Sequence, residues 1–345
     1  MRQDIDRTGS IRQRKAGGFL PGLPSPSGVK LADFNRVLGN FEPRETHTMN
    51  LVVTALHPLF VARITGVDLS RPIDEDVQHA IEQAMDAYAV CVLPGQHLED
   101  EQQIAFSRFY GPLEVSPGIG RKSGAIPAMA RIQHREIFDI SNLDQDGGIL
   151  GENNPRASFM LGNQLWHTDS SFRRESATWS MLHAKAIPPA GGDTEFADTR
   201  AAYDALPDAM KSRLEGLVAE HSLWHSRSKF GGYAPTEEER KSYPSARHKV
   251  VRRHPGSGRN ALYIAAHASH IVGMPVEEGQ ALLHELMEFA TQPQFVYCHK
   301  WQVGDLVIWD NRCTMHRVTP FDATDEVRDL RRTTIIDTTP EVLVG

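Results

Sequence analysis

The sequence predicts a mainly β fold with flanking helices, arranged as a sandwich or a barrel. Short segments with strand-like composition recur from "LVVTAL" near residue 51 to "RTTIID" at residues 332–337. Gly and Pro turns separate these segments, and only a few helical patterns interrupt them. Strands contributed by distant parts of the chain favour a sandwich or barrel over a doubly wound parallel sheet.

The chain divides into two parts by composition. Its 345 residues are enough for one large domain or two ordinary ones. Residues 1–48 mix charges of both signs with Gly, Pro and Ser and show no sustained hydrophobic period. We therefore expect a flexible N-terminal extension, followed by a single domain with helical insertions over residues 49–345.

Strand, helix and strand follow one another early in this domain. "LVVTALHPLFVARITGVDL" has the composition of strands, and "DEDVQHAIEQAMDAY" places Val77, Ala80, Ile81 and Ala84 at helical spacing. "AVCVL" predicts the next strand. A second helix is expected near "EDEQQIAFSRFYG", because acidic residues fill its first turn and Gly111 closes it.

The middle of the chain continues the pattern of short strands and turns. "PPAGGDTEFAD" predicts a turn that leads into a strand, and helices are expected at "PDAMKSRLEGLVAEH" and "PVEEGQALLHELMEFAT". Three further strands are predicted at "QFVYCHKW", "DLVIWDN" and "RTTIID", the first two joined by the turn "QVGD".

Charge and composition exclude several classes of protein. The formal net charge is -7, without a dense Lys/Arg cluster, so we expect no nucleic-acid partner. No apolar run approaches the roughly 18 residues of a membrane span, which predicts a cytoplasmic protein without a membrane partner. The three cysteines are far apart and odd in number, as expected for reduced thiols. We also expect a homo-oligomer.

Three pairs of a histidine and an acid are spaced two residues apart: His97 with Glu99, His134 with Glu136, and His167 with Asp169. On a strand such residues share a face, whereas on a helix they lie roughly 200° apart. His97 and Glu99 fall at the entrance of a predicted helix. His134 and Glu136 favour an exposed polar face, although His134 stays a candidate substrate-binding residue.

The surroundings of His167 and Asp169 indicate a buried pair, because "NQLWHTDSSF" is otherwise apolar or hydroxylic. A buried carboxylate needs a partner, and a metal ion would serve. His316 in "GDLVIWDNRCTMHR" supplies a third candidate ligand, and Arg328 follows twelve residues later. Two histidines and one carboxylate form the facial triad of non-haem Fe(II) oxygenases, and an arginine can hold a dicarboxylate co-substrate. A core histidine beside a turn-capping aspartate is the alternative.

The segments "LWHTDSSF", "PPAGGDTEFADTRAAYDAL", "GDLVIWDNRCTMHR" and "RRTTI" resemble the Fe(II)/2-oxoglutarate dioxygenases of the taurine and 2,4-D (TauD/TfdA) family. The resemblance covers about residues 50–338 and implies a double-stranded β-helix, or jelly roll, as the core. It implies that His167, Asp169 and His316 are the iron ligands. It also implies that Thr194 and Arg328 hold the distal carboxylate of 2-oxoglutarate.

The resemblance extends to candidate substrate-binding residues. Arg332 matches a second family arginine that faces the substrate anion, and on a strand it would share a face with Arg328 while Arg331 points away. Asn163 matches a family position beside the substrate, and Phe172 is a candidate contact for an aromatic substrate. The lysine-bearing segment that helps bind phenoxyacetate in similar family members is represented only loosely by "GIGRKSGAIPAMARIQH".

The implied activity uses Fe(II), 2-oxoglutarate and O2 to hydroxylate a small organic acid. For an aryloxyalkanoate such as 2,4-dichlorophenoxyacetate, hydroxylation beside the ether oxygen gives a phenol and glyoxylate, with succinate and CO2 as co-products. Taurine, another sulfonate or another small anion is the alternative substrate. A zinc hydrolase or a non-catalytic metal-binding barrel is an alternative of another class, and neither would need Arg328 or Thr194.

Overall fold

The computed structural model describes residues 51–115, 131–151, 154–229 and 235–339. The chain divides into two units, Met1–Thr48 and Met49–Gly345, and every described residue belongs to the second. The predicted N-terminal extension and most of the lysine-bearing segment lie outside the described residues.

Fifteen strands form the sheets of the described ranges. In chain order the strands of the described ranges are β1 (Val52–His57), β2 (Val61–Thr65), β3 (Val90–Leu93), β4 (Phe138–Ser141), β5 (Ala177–Ala186), β6 (Thr194–Asp198), β7 (Val218–His221), β8 (Ala246–Lys249), β9 (Val251–Arg253), β10 (Asn260–Leu262), β11 (Ala268–Ile271), β12 (Val296–His299), β13 (Leu306–Asp310), β14 (Thr314–Val318) and β15 (Asp329–Ile336).

Helices lie between these strands. They are α1 (Glu75–Tyr88), α2 (Asp100–Arg108), α3 (Pro155–Met160), α4 (Thr199–Ala205), α5 (Asp208–Leu214), α6 (Leu223–Ser228), α7 (Glu237–Ser242) and α8 (Val276–Ala290), with short 3-10 turns at Leu161–Gln164 and Pro293–Phe295. No helix in the described ranges is long and apolar enough to cross a membrane.

Seven strands form the larger sheet, in the order β1-β2-β3-β13-β5-β15-β4. Its pairs are antiparallel except β2 with β3, which are joined through α1 as a parallel pair requires. Side chains alternate across the sheet: Val307 and Trp309 of β13 face one core, whereas Leu306 and Ile308 face another core beneath α1 and α2. Both faces of this sheet are therefore buried.

A three-stranded sheet, β12-β6-β14, contributes to the first of these cores. Phe196 of β6 packs in one cluster with Val307 and Trp309, so the core that they share lies between the two sheets. Ala197, the next residue of β6, belongs to a separate cluster with side chains of α4 and α8. The prediction of a mainly β fold with flanking helices is confirmed.

Two predicted helix starts have clear capping contacts. The Asp74 side chain accepts a hydrogen bond from the Val77 amide at 2.9 Å at the start of α1. At the start of α2, the Glu99 amide donates to Gln102 Oε1 at 2.7 Å as part of a capping box. Glu99 is thus a helix-capping residue, in agreement with the position predicted for it.

One predicted helix is too long. The segment "PDAMKSRLEGLVAEH" was expected to be helical throughout, but α5 ends at Leu214 and β7 begins at Val218. Gly216 lies between them with φ of 73°, a left-handed conformation that terminates a helix. The following residues instead pair with β8 and β11.

Candidate active site

His167 and His316 are held together by their own backbones. The His167 amide donates to the His316 carbonyl at 3.0 Å, and the His316 amide donates back to the His167 carbonyl at 2.7 Å. Asp169 follows on the same segment, and its Oδ2 lies 3.9 Å from His316 Nε2. All three side chains are buried, and one potential ligand atom from each lies within 4.8 Å of the others. The structure therefore brings the predicted metal ligands together.

The environment of both imidazoles suits a metal ion. His167 Nδ1 lies 2.7 Å from the Leu165 carbonyl, so it carries the proton and leaves the lone pair on Nε2. The His316 ring packs 4.7 Å from the Trp309 ring, and its Nδ1 is buried without a hydrogen-bond partner in the described chain. Burial lowers the pKa of both histidines, which favours the neutral form that ligates metals. Two neutral imidazoles and a carboxylate fit Fe(II).

Asp169 is oriented by three neighbours. Ser180 on β5 donates to its Oδ2 at 2.7 Å, and Arg332 on β15 donates to its Oδ1. Asn311 accepts from the Asp169 amide at 3.1 Å and donates to Ser180 Oγ at 2.9 Å. Burial acts to raise the pKa of Asp169, but the nearby Arg332 charge and the two histidines outweigh burial and lower it. The carboxylate is thus kept ionised and fixed in orientation.

Arg328 is a buried cation that lacks a carboxylate partner. Its Nε donates to the Gly192 carbonyl at 2.9 Å, and no salt bridge to it occurs within the described ranges. Burial lowers its pKa to about 10. A Cβ at Gly192, whose φ is 68°, would lie 3.2 Å from the Arg328 Nε, so glycine here gives the guanidinium its place. An anion from outside the chain would neutralise this charge.

Thr194 lies on β6 beside the same cavity. Its Oγ1 accepts from Trp301 Nε1 at 3.0 Å, which leaves the hydroxyl proton available to an incoming acceptor. A cavity of about 290 Å³, here termed the first chamber, is lined by Thr194, Arg328, His167 and His316. Leu182 and Trp309 supply apolar wall. The two residues predicted to bind the co-substrate therefore open onto the same chamber as two metal ligands.

A smaller cavity of about 100 Å³, the second chamber, lies on the other side of a shared wall. Five residues line both chambers: Ile140, Met160, Asn163, His167 and Arg332. Phe172 lines the second chamber only, and its ring centroid lies 5.1 Å from that of His267. Asn163, Arg332 and Phe172 thus meet beside the metal ligands.

His134 is the one predicted site residue that the structure does not bring to the cavity. It lies in a loop, with Nε2 2.9 Å from Glu101 Oε1 at the surface, and lines neither chamber. The His134 side chain therefore contacts Glu101 rather than the cavity, as expected for an exposed polar segment. Arg331 also lines neither chamber, and its Nη2 lies 3.5 Å from Asp329.

Sequence reasoning missed four residues of the site. Ser180 and Asn311 orient Asp169, and Arg227 and His267 line the second chamber. His267 precedes β11 in "AAHASH", a context typical of core packing. Arg227 stands in the polar segment "WHSRSKF", where no spacing signal distinguishes it from a solvent-exposed arginine.

Comparison with known proteins gives the site its context. Residues 53–334 match the family described as taurine catabolism dioxygenase TauD, TfdA family. The chain is 47% identical over 289 residues to the alpha-ketoglutarate-dependent 2,4-dichlorophenoxyacetate dioxygenase of Cupriavidus pinatubonensis, covering 84% of this chain and 99% of that protein. It is 38% identical over 282 residues to the (S)-phenoxypropionate/alpha-ketoglutarate-dioxygenase of Sphingobium herbicidovorans, covering 79% and 91%.

A solved structure agrees with these relatives. The crystal structure of AAD-2 in complex with Mn(II) and N-oxalylglycine matches with a TM-score of 0.78 at 44% identity, covering 85% of this chain and 99% of that one. The similarity thus spans β1 to β15, including the segments that carry both histidines, Asp169 and Arg328. The chain belongs to the TauD, TfdA family and is a 2-oxoglutarate-dependent non-haem Fe(II) dioxygenase.

Proposed function

We propose that this enzyme cleaves the ether bond of aryloxyalkanoates such as 2,4-dichlorophenoxyacetate. One O2 and one 2-oxoglutarate are consumed with each acid, and the products from an aryloxyacetate are a phenol, glyoxylate, succinate and CO2. The observation that carries the reaction class is the buried triad, two of whose residues, His167 and His316, line the same chamber as an unneutralised Arg328. The substrate class is supported by the names of the relatives, which act on phenoxyacetate and phenoxypropionate acids.

Different side chains would bind the metal ion and the co-substrate. His167, Asp169 and His316 would hold the Fe(II), which supplies redox chemistry that protein side chains lack. Arg328 and Thr194 would bind the distal carboxylate of 2-oxoglutarate by a charge-assisted contact and a hydroxyl donor. Trp301 Nε1 donates to the Thr194 hydroxyl oxygen, so the hydroxyl proton points away from Trp301. Leu182 and Trp309 exclude water from the chamber.

The proposed fold and assembly follow the family. The two sheets that enclose Phe196 and Trp309 would form the double-stranded β-helix implied by the resemblance, with β6 and β14 facing β13 and β5. A single dioxygenase domain over residues 49–345, a cytoplasmic location and a homo-oligomer stay predictions of the sequence. Light scattering of the purified protein would measure its oligomeric state.

A substrate panel tests the proposed function. The enzyme, loaded with Fe(II), would receive aryloxyacetates, both enantiomers of 2-aryloxypropionates, taurine and an alkyl sulfate, with succinate and phenol quantified separately. We expect equimolar phenol and succinate from at least one aryloxyalkanoate. Succinate from taurine or the alkyl sulfate alone would replace the proposed substrate. A complete failure to consume 2-oxoglutarate with any acid, combined with zinc-dependent hydrolysis, would support the hydrolase alternative.

A further inference from the structure

Ion pairing singles out two arginines in the interior. Of the arginines in the described ranges that are not exposed, ten have a carboxylate oxygen within 4.0 Å: Arg131, Arg156, Arg173, Arg200, Arg252, Arg259, Arg312, Arg317, Arg331 and Arg332. Arg227 and Arg328 have none. Arg328 has a carboxylate assigned to it in the proposed function, because 2-oxoglutarate supplies one. Arg227 leaves a second enclosed charge without a counter-ion.

Arg227 is held in place by neutral groups. It lies on α6, where Nη1 donates to the Phe159 carbonyl at 3.0 Å and Nη2 donates to Asn163 Oδ1 at 3.4 Å. The guanidinium carbon lies 4.1 Å from the centroid of the Phe159 ring, and the buried Nε has no hydrogen-bond partner. These contacts orient the guanidinium but do not neutralise its charge. Burial lowers its pKa to about 10, the positive charge of Arg332 acts in the same direction, and the negative charge of Asp169 acts in the opposite direction.

A glycine makes room for this guanidinium. A Cβ built on Gly162, in the 3-10 turn after α3, would lie 1.5 Å from Arg227 Nη1 and 2.6 Å from its Cζ. Any larger residue at position 162 must therefore displace the end of the arginine side chain. The position of the Arg227 guanidinium in the second chamber therefore depends on glycine at position 162. A substitution at Gly162 can displace this charge without removing it.

The second chamber offers this charge to a bound molecule. Asp169 and His167 line the chamber, together with Arg227 and Arg332. Arg332 is in contact with Asp169, whereas no carboxylate oxygen in the described ranges lies within 4.0 Å of Arg227. Phe172 and Tyr243 add aromatic surface. An acid that pairs with Arg227 would thus lie in the same chamber as two metal ligands, with aromatic side chains available to an aryl ring.

We propose that Arg227 binds the substrate carboxylate, in a position made available by Gly162. The proposal rests on the proposed function and adds Arg227 to the expected substrate contact Arg332, which lines the same chamber. Arg227 and Arg328 would then each serve one of the two carboxylic acids that the reaction consumes, Arg227 from the second chamber and Arg328 from the first.

Kinetics of Arg227→Gln test the proposal directly. We expect kcat/KM for an aryloxyacetate to fall by about 30-fold or more, since one charge-assisted contact is lost. The KM for 2-oxoglutarate should stay within about 2-fold, because Arg328 is untouched. The wild type should prefer the acid over its methyl ester, and Arg227→Gln should weaken that preference by a similar factor. Anaerobic calorimetry with the acid measures the loss of binding independently of turnover.

Two further variants separate binding from folding. Gly162→Ala should reproduce the selective loss of acid binding by displacing the guanidinium. Gly151→Ala is its matched control, because nothing lies within 4 Å of a Cβ there. Arg247→Gln removes one positive charge from an exposed site and controls for net charge. The visible absorption band of the anaerobic enzyme with Fe(II) and 2-oxoglutarate should be unchanged in every variant, which reports an intact first chamber.

The outcomes distinguish this proposal from the proposed function. If the wild type cleaves aryloxyalkanoates and Arg227→Gln keeps the full preference for acid over ester, the role of Arg227 is wrong and the function stands. If the wild type makes no succinate with any aryloxyalkanoate, the proposed function is wrong. The same variants, measured with whichever panel anion is turned over, then decide whether Arg227 binds it.

Discussion

Two buried clusters in the described ranges consist of residues that can ligate a metal ion. One is the triad of His167, Asp169 and His316, and the other consists of His254, Asp310 and Cys313. In each cluster the potential ligand atoms lie within 4.8 Å of one another. Burial, proximity and the presence of a histidine beside an aspartate therefore do not distinguish them.

The two clusters differ in how many lone pairs of their ligand atoms are left without a hydrogen-bond donor from the protein. Asp310 Oδ2 accepts from His254 Nε2 at 3.0 Å, Trp179 Nε1 at 2.9 Å and Arg312 Nη2 at 2.5 Å. His254 Nδ1 lies 2.9 Å from Ser257 Oγ, so both ring nitrogens have partners within the protein. This second cluster is therefore a closed cluster, satisfied by the protein's own donors. In the triad, by contrast, His167 Nε2 and His316 Nε2 make no hydrogen bond within the described ranges, and His316 Nε2 faces Asp169 Oδ2 at 3.9 Å.

A metal site therefore differs from an internal ion pair in having ligand lone pairs that no protein hydrogen-bond donor uses. A buried aspartate beside a histidine is equally consistent with an internal ion pair. Substitutions in the triad should accordingly lower activity, whereas substitutions in the closed cluster should lower stability.

The largest expected effect is in the triad. Asp169→Ala and His316→Ala should each lower turnover by about 10³-fold or more, because a metal site with two ligands binds Fe(II) poorly. The free energy of unfolding should change little without metal, since an open site does not hold the core together. Succinate release and urea denaturation measure the two quantities. Turnover close to that of the wild type in either variant would contradict the assigned ligands.

Arg328→Ala should have the next largest effect, confined to the co-substrate. Loss of a charge-assisted contact costs ~2–5 kcal/mol, which corresponds to tens- to thousands-fold in binding. We expect the KM for 2-oxoglutarate to rise accordingly, while the Fe(II) requirement changes far less. An unchanged KM for 2-oxoglutarate would show that the distal carboxylate binds elsewhere, with Arg332 the nearest candidate in the first chamber.

His254→Gln tests the closed cluster through pH. Burial acts to lower the pKa of His254, but Cys313 and Asp310 outweigh burial and raise it to about 10. A raised histidine pKa stabilises the fold fully below the unfolded-state value of about 6.5, and this contribution is lost as pH rises through about 10. The variant should thus lose about 2–4 kcal/mol of unfolding free energy at pH 6 and progressively less toward pH 10.

Urea denaturation at pH 6, 8 and 10 measures this trend. Activity per folded molecule should stay within about 2-fold of the wild type, because His254 lines neither chamber. A deficit of equal size at every pH would mean that His254 acts through packing rather than charge.

The smallest effect is expected from deleting residues 1–48. Both clusters and both chambers are built from later residues, and the composition of this segment does not support a core. We expect the melting temperature and kcat/KM of residues 49–345 to match those of the full chain closely. A large loss in either would show that the segment packs on the domain.

The sequence predicted the parts of the site that depend on local pattern. The spacing of His167 and Asp169 and the segment around His316 were sufficient to propose the triad, and resemblance added Thr194 and Arg328. His134 has the same spacing to an acid as His167, and pattern alone could not show that its segment forms a loop. Likewise, the helix predicted from the sequence extends past Gly216, whereas the residues after it pair with β8 and β11 and form the strand β7.

Long-range electrostatics were beyond the sequence. Whether an arginine inside the fold has a carboxylate partner depends on residues far away in the chain, as in the contact of Arg332 with Asp169. Arg227 therefore could not be distinguished from the ten paired arginines, and Asp310 could not be distinguished from Asp169. Spatial neighbours, rather than residue identity, determine these roles.

One wall of the second chamber comes from a segment separate from the residues that carry the triad. Leu223, Arg227 and Tyr243 come from residues 222–245, which connect the paired strands β7 and β8, whereas the triad comes from the segment before β5 and from β14. Selection or engineering could therefore alter the range of acids accepted by changing a single connecting segment. We expect a chimera that carries this segment from a relative to acquire new acid specificity while its demand for 2-oxoglutarate stays constant.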